Sequence, residues 1–161
     1  MRRFGKPPQT GRTYRKRIGA YAILPGPDGL LLTYQDTAPL GLWTLPEPEF
    51  QLPGGGVDPG ESPTQALTRE VYEETGWRIC RPRRLGAYRR FTYMPEYDLW
   101  AEKMCLIYMA LPVIRYGDPT EPGHSAVWMS SDDALSSLAN SGDCDFVERY
   151  ASWAGIFQKR G

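Results

Sequence analysis

Residues 54–77 read GGGVDPGESPTQALTREVYEETGW, a glycine run feeding one short acidic segment. Ser62 is a good N-cap, Pro63 suits a first helical position where its missing N–H is harmless, and Gln65 is spaced to complete a capping box. Gly76 is a natural C-terminal stop. The spacing therefore predicts a helix of roughly three to four turns from about Pro63, with Ala66, Leu67 and Val71 as the apolar stripe facing a core. Positions three and four apart share a helix face, so Glu70 lies beside both Glu73 and Glu74, mostly off that stripe. Like charges so placed cost roughly a few tenths of a kcal/mol per pair on an exposed helix and more in a cleft. A cation reverses the sign. Upstream, Gly54, Gly55 and Gly56 let the backbone pass close to a ligand and offer its own carbonyls and amides.

Gly55, Glu61, Arg69, Glu70, Val71, Glu73, Glu74, Gly76 and Trp77 fall on the pattern G-x5-E-x7-R-E-U-x-E-E-x-G-U, where U is bulky and apolar. In this the chain resembles the Nudix hydrolase family, with every fixed position of the Nudix box filled. Trp77 stands where an aliphatic residue is usual, which bears on packing more than on chemistry. The resemblance implies an α/β/α sandwich with a mixed β-sheet. It also implies that Gly55, Glu61, Arg69 and Gly76 are structural, with Glu61 and Arg69 as an ion pair bracing loop against helix.

Three clustered carboxylates with glycine carbonyls nearby make an all-oxygen site that suits Mg²⁺ or Mn²⁺ rather than zinc. Gly54, Glu70, Glu73 and Glu74 are the candidate ligands. Such a metal would neutralise a polyanionic substrate and lower the pKa of an attacking water. The expected activity is Mg²⁺-dependent hydrolysis of a phosphoanhydride bond in a nucleoside-diphosphate-linked small molecule: a nucleoside triphosphate, dinucleoside polyphosphate or nucleotide sugar. The alternatives are an isoprenoid-diphosphate isomerase, for which Cys105 is the one cysteine to consider, and a non-catalytic nucleotide- or RNA-binding Nudix module. The intact glutamate set disfavours the binding module.

Besides Glu70, catalysis needs a general base, and a metal-bound carboxylate is a poor proton acceptor. In several Nudix hydrolases the base comes from a late loop before a strand. Glu121, seven residues before Trp128, is the first choice here, with His124 and Glu102 as rivals. Tyr93 lies sixteen residues past Trp77, an offset that in the family often accompanies diadenosine polyphosphate hydrolysis, and is a candidate for base stacking. Arg89 and Arg90 are candidate phosphate ligands, and strand alternation lets only one of them face a given cleft.

A chain of 161 residues is most simply one domain, here 18–161 preceded by a basic arm at 1–17. The arm holds seven Lys/Arg and no acid, which leaves 12 basic against 19 acidic residues in the body. It reads as a flexible, solvated terminus in preference to a phosphate or nucleic-acid contact. No apolar run approaches a membrane span and no secretory leader is visible, so a cytoplasmic protein without a membrane partner is expected. Cys80, Cys105 and Cys144 are odd in number and far apart, so buried free thiols are expected and no disulfide partner. Nucleic acid is not the expected partner, and a homodimer is compatible with the chain. His124 is the only histidine, which excludes two-histidine sites.

The remaining segments read as a hairpin over 18–36 turning at Gly26–Gly29, a proline-rich loop at 37–49 around Trp43, and a short strand at 50–52. Strands follow over 79–93 and 103–111, joined by a long connection through Glu96, Asp98, Trp100 and Glu102. A short helix capped by Ser130 or Ser131 and an amphipathic helix from about Asp145 close the chain.

Overall fold

The computed structural model describes residues 1–36 and 47–158, with side chains as far as residue 151. The loop around Trp43 thus lies largely outside the described residues. In chain order the elements are β1 (Arg2–Arg3), β2 (Arg15–Ile23), β3 (Pro25–Gly26), β4 (Gly29–Gln35), β5 (Glu49–Gln51), β6 (Gly54–Gly56), α1 (Pro63–Thr75), β7 (Trp77–Met94), β8 (Leu99–Arg115), β9 (His124–Met129), α2 (Ser131–Ser137) and α3 (Ser141–Gln158). One sheet has the order β1-β7-β8-β2-β6, with β2–β8 and β1–β7 parallel and the other pairs antiparallel. In the second, β4 pairs antiparallel with β3, β5 and β9.

Helix α1 begins and ends as its capping residues dictate. The Ser62 side chain accepts from the Gln65 amide, the Gln65 side chain accepts from the Ser62 amide, and Gly76 ends the helix in the left-handed region. Strand alternation then divides the core. Ala20 and Ala22 of β2 and Leu24 just after it face Leu67 and Val71 of α1, while Tyr21 and Ile23 face Leu138 just after α2 and Phe146 and Val147 of α3. Helices therefore cover both faces of a mixed sheet, an α/β/α sandwich. Leu67 and Val71 are wholly buried, and each such side chain stabilises the fold by about 1.5–3 kcal/mol relative to exposure.

Several expectations are corrected by tertiary pairing. The hairpin over 18–36 survives only as Pro25–Gly26 against Gly29–Leu30, because β2 leaves it to run parallel to β8 over nine residue pairs. The crossing at Leu24 lets one continuous apolar run serve both sheets. The long connection after Tyr93 is a three-residue 3-10 turn, Pro95–Tyr97, closed by Asp98 in the left-handed region and by the Tyr93 hydroxyl on its carboxylate, so Trp100 and Glu102 belong to β8. Helix α3 starts at Ser141 rather than Asp145, since the Asn140 side chain accepts from the Gly142 amide and its carbonyl from the Cys144 amide. The three cysteines are free; Cys105 is buried and the other two are half-buried.

The basic arm is laid down along the sheet. Arg2 and Arg3 pair with Tyr88 and Arg89 of β7, Phe4 packs edge-on against Tyr88 at 5.4 Å, and Arg2 meets Asp145 at 3.1 Å. No described helix is long and apolar enough to cross a membrane.

Gly76 supplies a direct check on the helix stop. Its φ is +75° and a Cβ there would lie 1.9 Å from the Gly117 carbonyl oxygen. Gly76→Ala is expected to cost about 2–4 kcal/mol from left-handed strain plus overpacking, read as a fall in Tm of roughly 2–4 °C per kcal/mol; an unchanged Tm would contradict this account of the α1 terminus.

Candidate active site

Arg69 is the centre of the constellation. Its Nη2 donates to Glu61 Oε1 at 2.7 Å and to the Gly56 carbonyl at 3.1 Å, its Nε reaches Glu61 Oε2 at 3.2 Å, and its Nη1 reaches Glu70 at 2.8 Å and Glu73 at 3.2 Å. One planar fork thus joins the glycine loop, the Ser62 end of α1 and two carboxylates on the helix. These hydrogen bonds hold Glu61 below the usual carboxylate range and raise Arg69 above its ordinary value. The carboxyl end of Glu70 lies where a Cβ on Gly55 would sit, 2.4–2.8 Å away, so only glycine leaves room for it.

Glu74, expected off the apolar stripe, is turned inward and is only 6% exposed. It accepts from the Gly54 amide at 3.1 Å and lies 3.5 Å from Nδ1 of His124, whose ring also meets the Thr33 hydroxyl at 3.0 Å. Burial pushes the Glu70 and Glu74 carboxyls up, and each is pushed further by Glu121 and by its helix neighbours. Burial lowers the imidazole of His124, so at neutral pH it is uncharged. Glu121 itself is exposed, but its backbone is fixed: the amides of Thr120 and Glu121 both donate to the Glu73 carbonyl at 2.8 Å. The late loop is thereby tied to the last turn of α1, and Glu121 joins the carboxylates. Glu102 is elsewhere, in β8 facing Arg89 at 3.5 Å.

The donor set fits a hard divalent cation in kind. It is all oxygen, its two inner carboxyls are raised by burial first and then by neighbouring carboxylates, and one guanidinium is its only counter-charge among the described residues. Glu70 and Glu73 point to Arg69 and Glu74 to Gly54, so no three ligating side chains meet at one point among the described residues.

The sequence model of the NUDIX domain matches residues 13–150. The chain belongs to the NUDIX domain family. Among curated proteins it is 43% identical over 53 residues, 33% of this chain and 36% of the other, to a Bacillus subtilis protein named "Putative 8-oxo-dGTP diphosphatase". It is 62% identical over 29 residues, 18% of this chain and 17% of the other, to the RNA pyrophosphohydrolase of Mesorhizobium japonicum. These matches span about a third or less of the relatives' length. Among solved structures, a MutT protein of Methanosarcina mazei superposes with TM-score 0.66 at 23% identity over 88% of this chain and 96% of that one. A NUDIX hydrolase of Nitrosomonas europaea gives 0.66 at 21% over 86% and 90%. They share the fold.

Within this Nudix domain, the two arginines after the box separate as alternation requires. Arg89 is about half exposed, whereas Arg90 turns inward and, among the described residues, its Nε is buried without a hydrogen-bond partner. Arg90 lines a small cavity of about 50 Å³ with Tyr21, Gln51, Tyr88, Asn140 and Asp143. Tyr21 stands opposite Gly54 in the β2–β6 register, which sets this cavity beside the glycine loop. Lys103, its Nζ 5.8 Å from the Tyr21 ring centre, and Asp143, which accepts from the Tyr88 hydroxyl at 2.8 Å and is raised by burial, were not singled out from sequence. Their signals were a lysine at the head of the apolar run 103–111 and a lone acid in the first turn of an amphipathic helix. Tyr93 is exposed at the β7–β8 tip with its ring centre 5.2 Å from that of Trp100. Cys105 is buried among Tyr21 and Tyr88 on the sheet face turned away from α1, and burial pushes its thiol up.

Arg69 should compensate the metal-free site. Arg69→Ala is expected to lower Tm in EDTA, and to gain more Tm on adding Mg²⁺ than wild type does, because the cation then relieves a larger repulsion. Equal Mg²⁺-induced shifts in the two proteins would refute this.

Proposed function

We propose that the protein hydrolyses a phosphoanhydride bond in a nucleoside-diphosphate-linked substrate with Mg²⁺, or Mn²⁺, held by Glu70, Glu73, Glu74 and a carbonyl of the glycine loop at Gly54. The observation that carries this reading is the gathering of Glu70, Glu74 and Glu121 so closely that burial and mutual repulsion raise the first two. Such crowding destabilises the resting protein and is relieved by a cation. A bound Mg²⁺ supplies phosphate charge neutralisation and a more acidic water.

The chain's own residues divide the remaining work. Glu121 is the general base: it is exposed, so a water and a substrate can reach it, and its backbone is anchored at the helix. His124 is the poorer choice. It is buried, neutral and shared between Thr33 and Glu74, which suits it to orienting Glu74. Arg90 is the inward cation available for a substrate phosphate, while Arg89 already faces Glu102. Tyr93 is the residue to stack on a base, a role that its exposure at the hairpin tip supports.

The substrate class is tested with a panel of nucleoside triphosphates, dinucleoside polyphosphates and nucleotide sugars, following released phosphate or nucleotide. Turnover should require divalent metal, and full activity in excess EDTA would sink the reading. Glu70→Gln and Glu74→Gln keep the shape but remove charge, so losses of roughly a hundredfold or more in kcat are expected. Glu121→Gln should abolish the acidic limb of the kcat–pH profile, whereas His124→Ala should keep that limb; the opposite pattern would give the base to the histidine. Arg90→Ala should raise KM about tenfold, in line with loss of a charge-assisted hydrogen bond, while Arg89→Ala leaves it unchanged. Two unchanged KM values would remove Arg90 from the substrate site.

A further inference from the structure

The first residues of the arm make contacts to which the hydrolytic reading gives no role. Among the described residues, the outer edge of β7 is paired only where Arg2 and Arg3 meet Tyr88 and Arg89, and the Phe4 amide donates to the Arg89 carbonyl at 3.0 Å. Gly5 then leaves the extended region at φ +77° and the pairing stops. The arm thus grips β7 at the two residues immediately before Arg90.

Tyr88 carries that grip inward. Strand alternation puts Tyr88 and Arg90 on the same face of β7, and both line the small cavity with Tyr21 and Asp143. Phe4 meets the Tyr88 ring edge-on at 5.4 Å and Phe146 of α3 lies 6.2 Å from it. Gly142 leaves room for the ring, since a Cβ there would lie 2.4 Å from it. The Tyr88 hydroxyl donates to Asp143 at 2.8 Å, so the ring is held at its edge, its face and its tip. Outside, Arg2 meets Asp145 at 3.1 Å, and Arg149 holds the same carboxylate at 2.8 Å. Arm, β7 and the start of α3 are three sides of one clamp.

Arg90 is a side chain that needs holding. In the β7–β8 register it stands directly opposite Lys103, and like charges so placed repel. Its Nε is buried without a hydrogen-bond partner among the described residues, so that part of the guanidinium is kept in place by packing alone. Its order must come from the strand that bears it and from Tyr88 beside it.

We propose that Phe4 and Arg2 are positioning residues for Arg90: by clamping Tyr88 and Arg89 against α3 they hold the Arg90 guanidinium in the cavity beside the glycine loop, ready for a substrate phosphate. The inference rests on the phosphate role given to Arg90 above and deepens it, because it makes a segment that touches no substrate a determinant of substrate affinity. A guanidinium already ordered loses less freedom when a phosphate arrives.

One readout needs no substrate. The Nε–H of Arg90, identified by its absence from the NMR spectrum of Arg90→Ala, should exchange with water roughly fivefold faster in Phe4→Ala, as loss of an aromatic edge contact predicts. Arg2→Glu, which sets an acid against Asp145 at an exposed site, should also speed the exchange, and Phe4→Tyr, which keeps the ring, should restore the wild-type rate. Unchanged exchange in both Phe4→Ala and Arg2→Glu overturns the proposal, whatever the affinities.

The second readout is a double-mutant cycle on the Kd for magnesium imidodiphosphate, a hydrolysis-resistant diphosphate that shares its phosphates with every substrate of the panel. Phe4→Ala should raise this Kd about fivefold when Arg90 is present and leave it unchanged in Arg90→Ala, because two residues that act through one group are not additive. Equal losses with and without Arg90 overturn the proposal, since Phe4 would then act by another route. Undiminished binding by Arg90→Ala alone defeats instead the phosphate role of Arg90 in the hydrolytic reading, and the exchange rates still decide whether the arm holds its guanidinium.

Discussion

The guanidinium of Arg69 is the contact on which the site depends. Without it the glycine loop, the start of α1 and the carboxylates of Glu70 and Glu73 have no common partner, and three acids on one helix face repel one another. A lysine has the charge but not the planar fork needed to reach Glu61, Gly56, Glu70 and Glu73 together. The same hub explains why the loop need not be rigid in its own right. Its shape is set by where the helix presents Arg69, and the helix is set by caps at both ends.

What could be read from the chain was what local chemistry decides. Helix α1 was legible to the residue, because Ser62, Pro63, Gln65 and Gly76 act over one turn and need nothing distant. The kinship of the box residues was equally visible, since their spacing is a sequence property. What could not be read was long-range pairing. Whether Leu24 ends a hairpin or crosses between sheets depends on β8, some eighty residues later, competing for the edge of β2. The burial of Glu74 is of the same kind, because nothing near it in sequence announces that Gly54 and His124 will close over it.

The arm shows what composition leaves out when partners are remote. Seven cations without an acid describe a solvated tail if the tail is considered alone. The hairpin tip changes that balance by offering Trp100 and Tyr97 as faces for Arg12 and Arg17, and the sheet edge offers β7 as a template for Arg2 and Arg3. Each contact is modest, and the arm's side chains stay largely exposed apart from Phe4, Tyr14 and Arg17.

The last turn of α1 leaves backbone carbonyls that the helix cannot satisfy itself, and the Glu73 carbonyl is met by the Thr120 and Glu121 amides. Glu121 is therefore placed by main chain rather than by side-chain packing. The identity of its neighbours is then free to drift, because amides are common to nearly every residue, but the count of residues between β8 and β9 is not. A single inserted or deleted residue in this stretch would slide a different amide onto the Glu73 carbonyl and carry the carboxylate out of the site. In this loop the ruler is length, and selection on it should act against insertions and deletions of one residue far more strongly than against exchanges of letters.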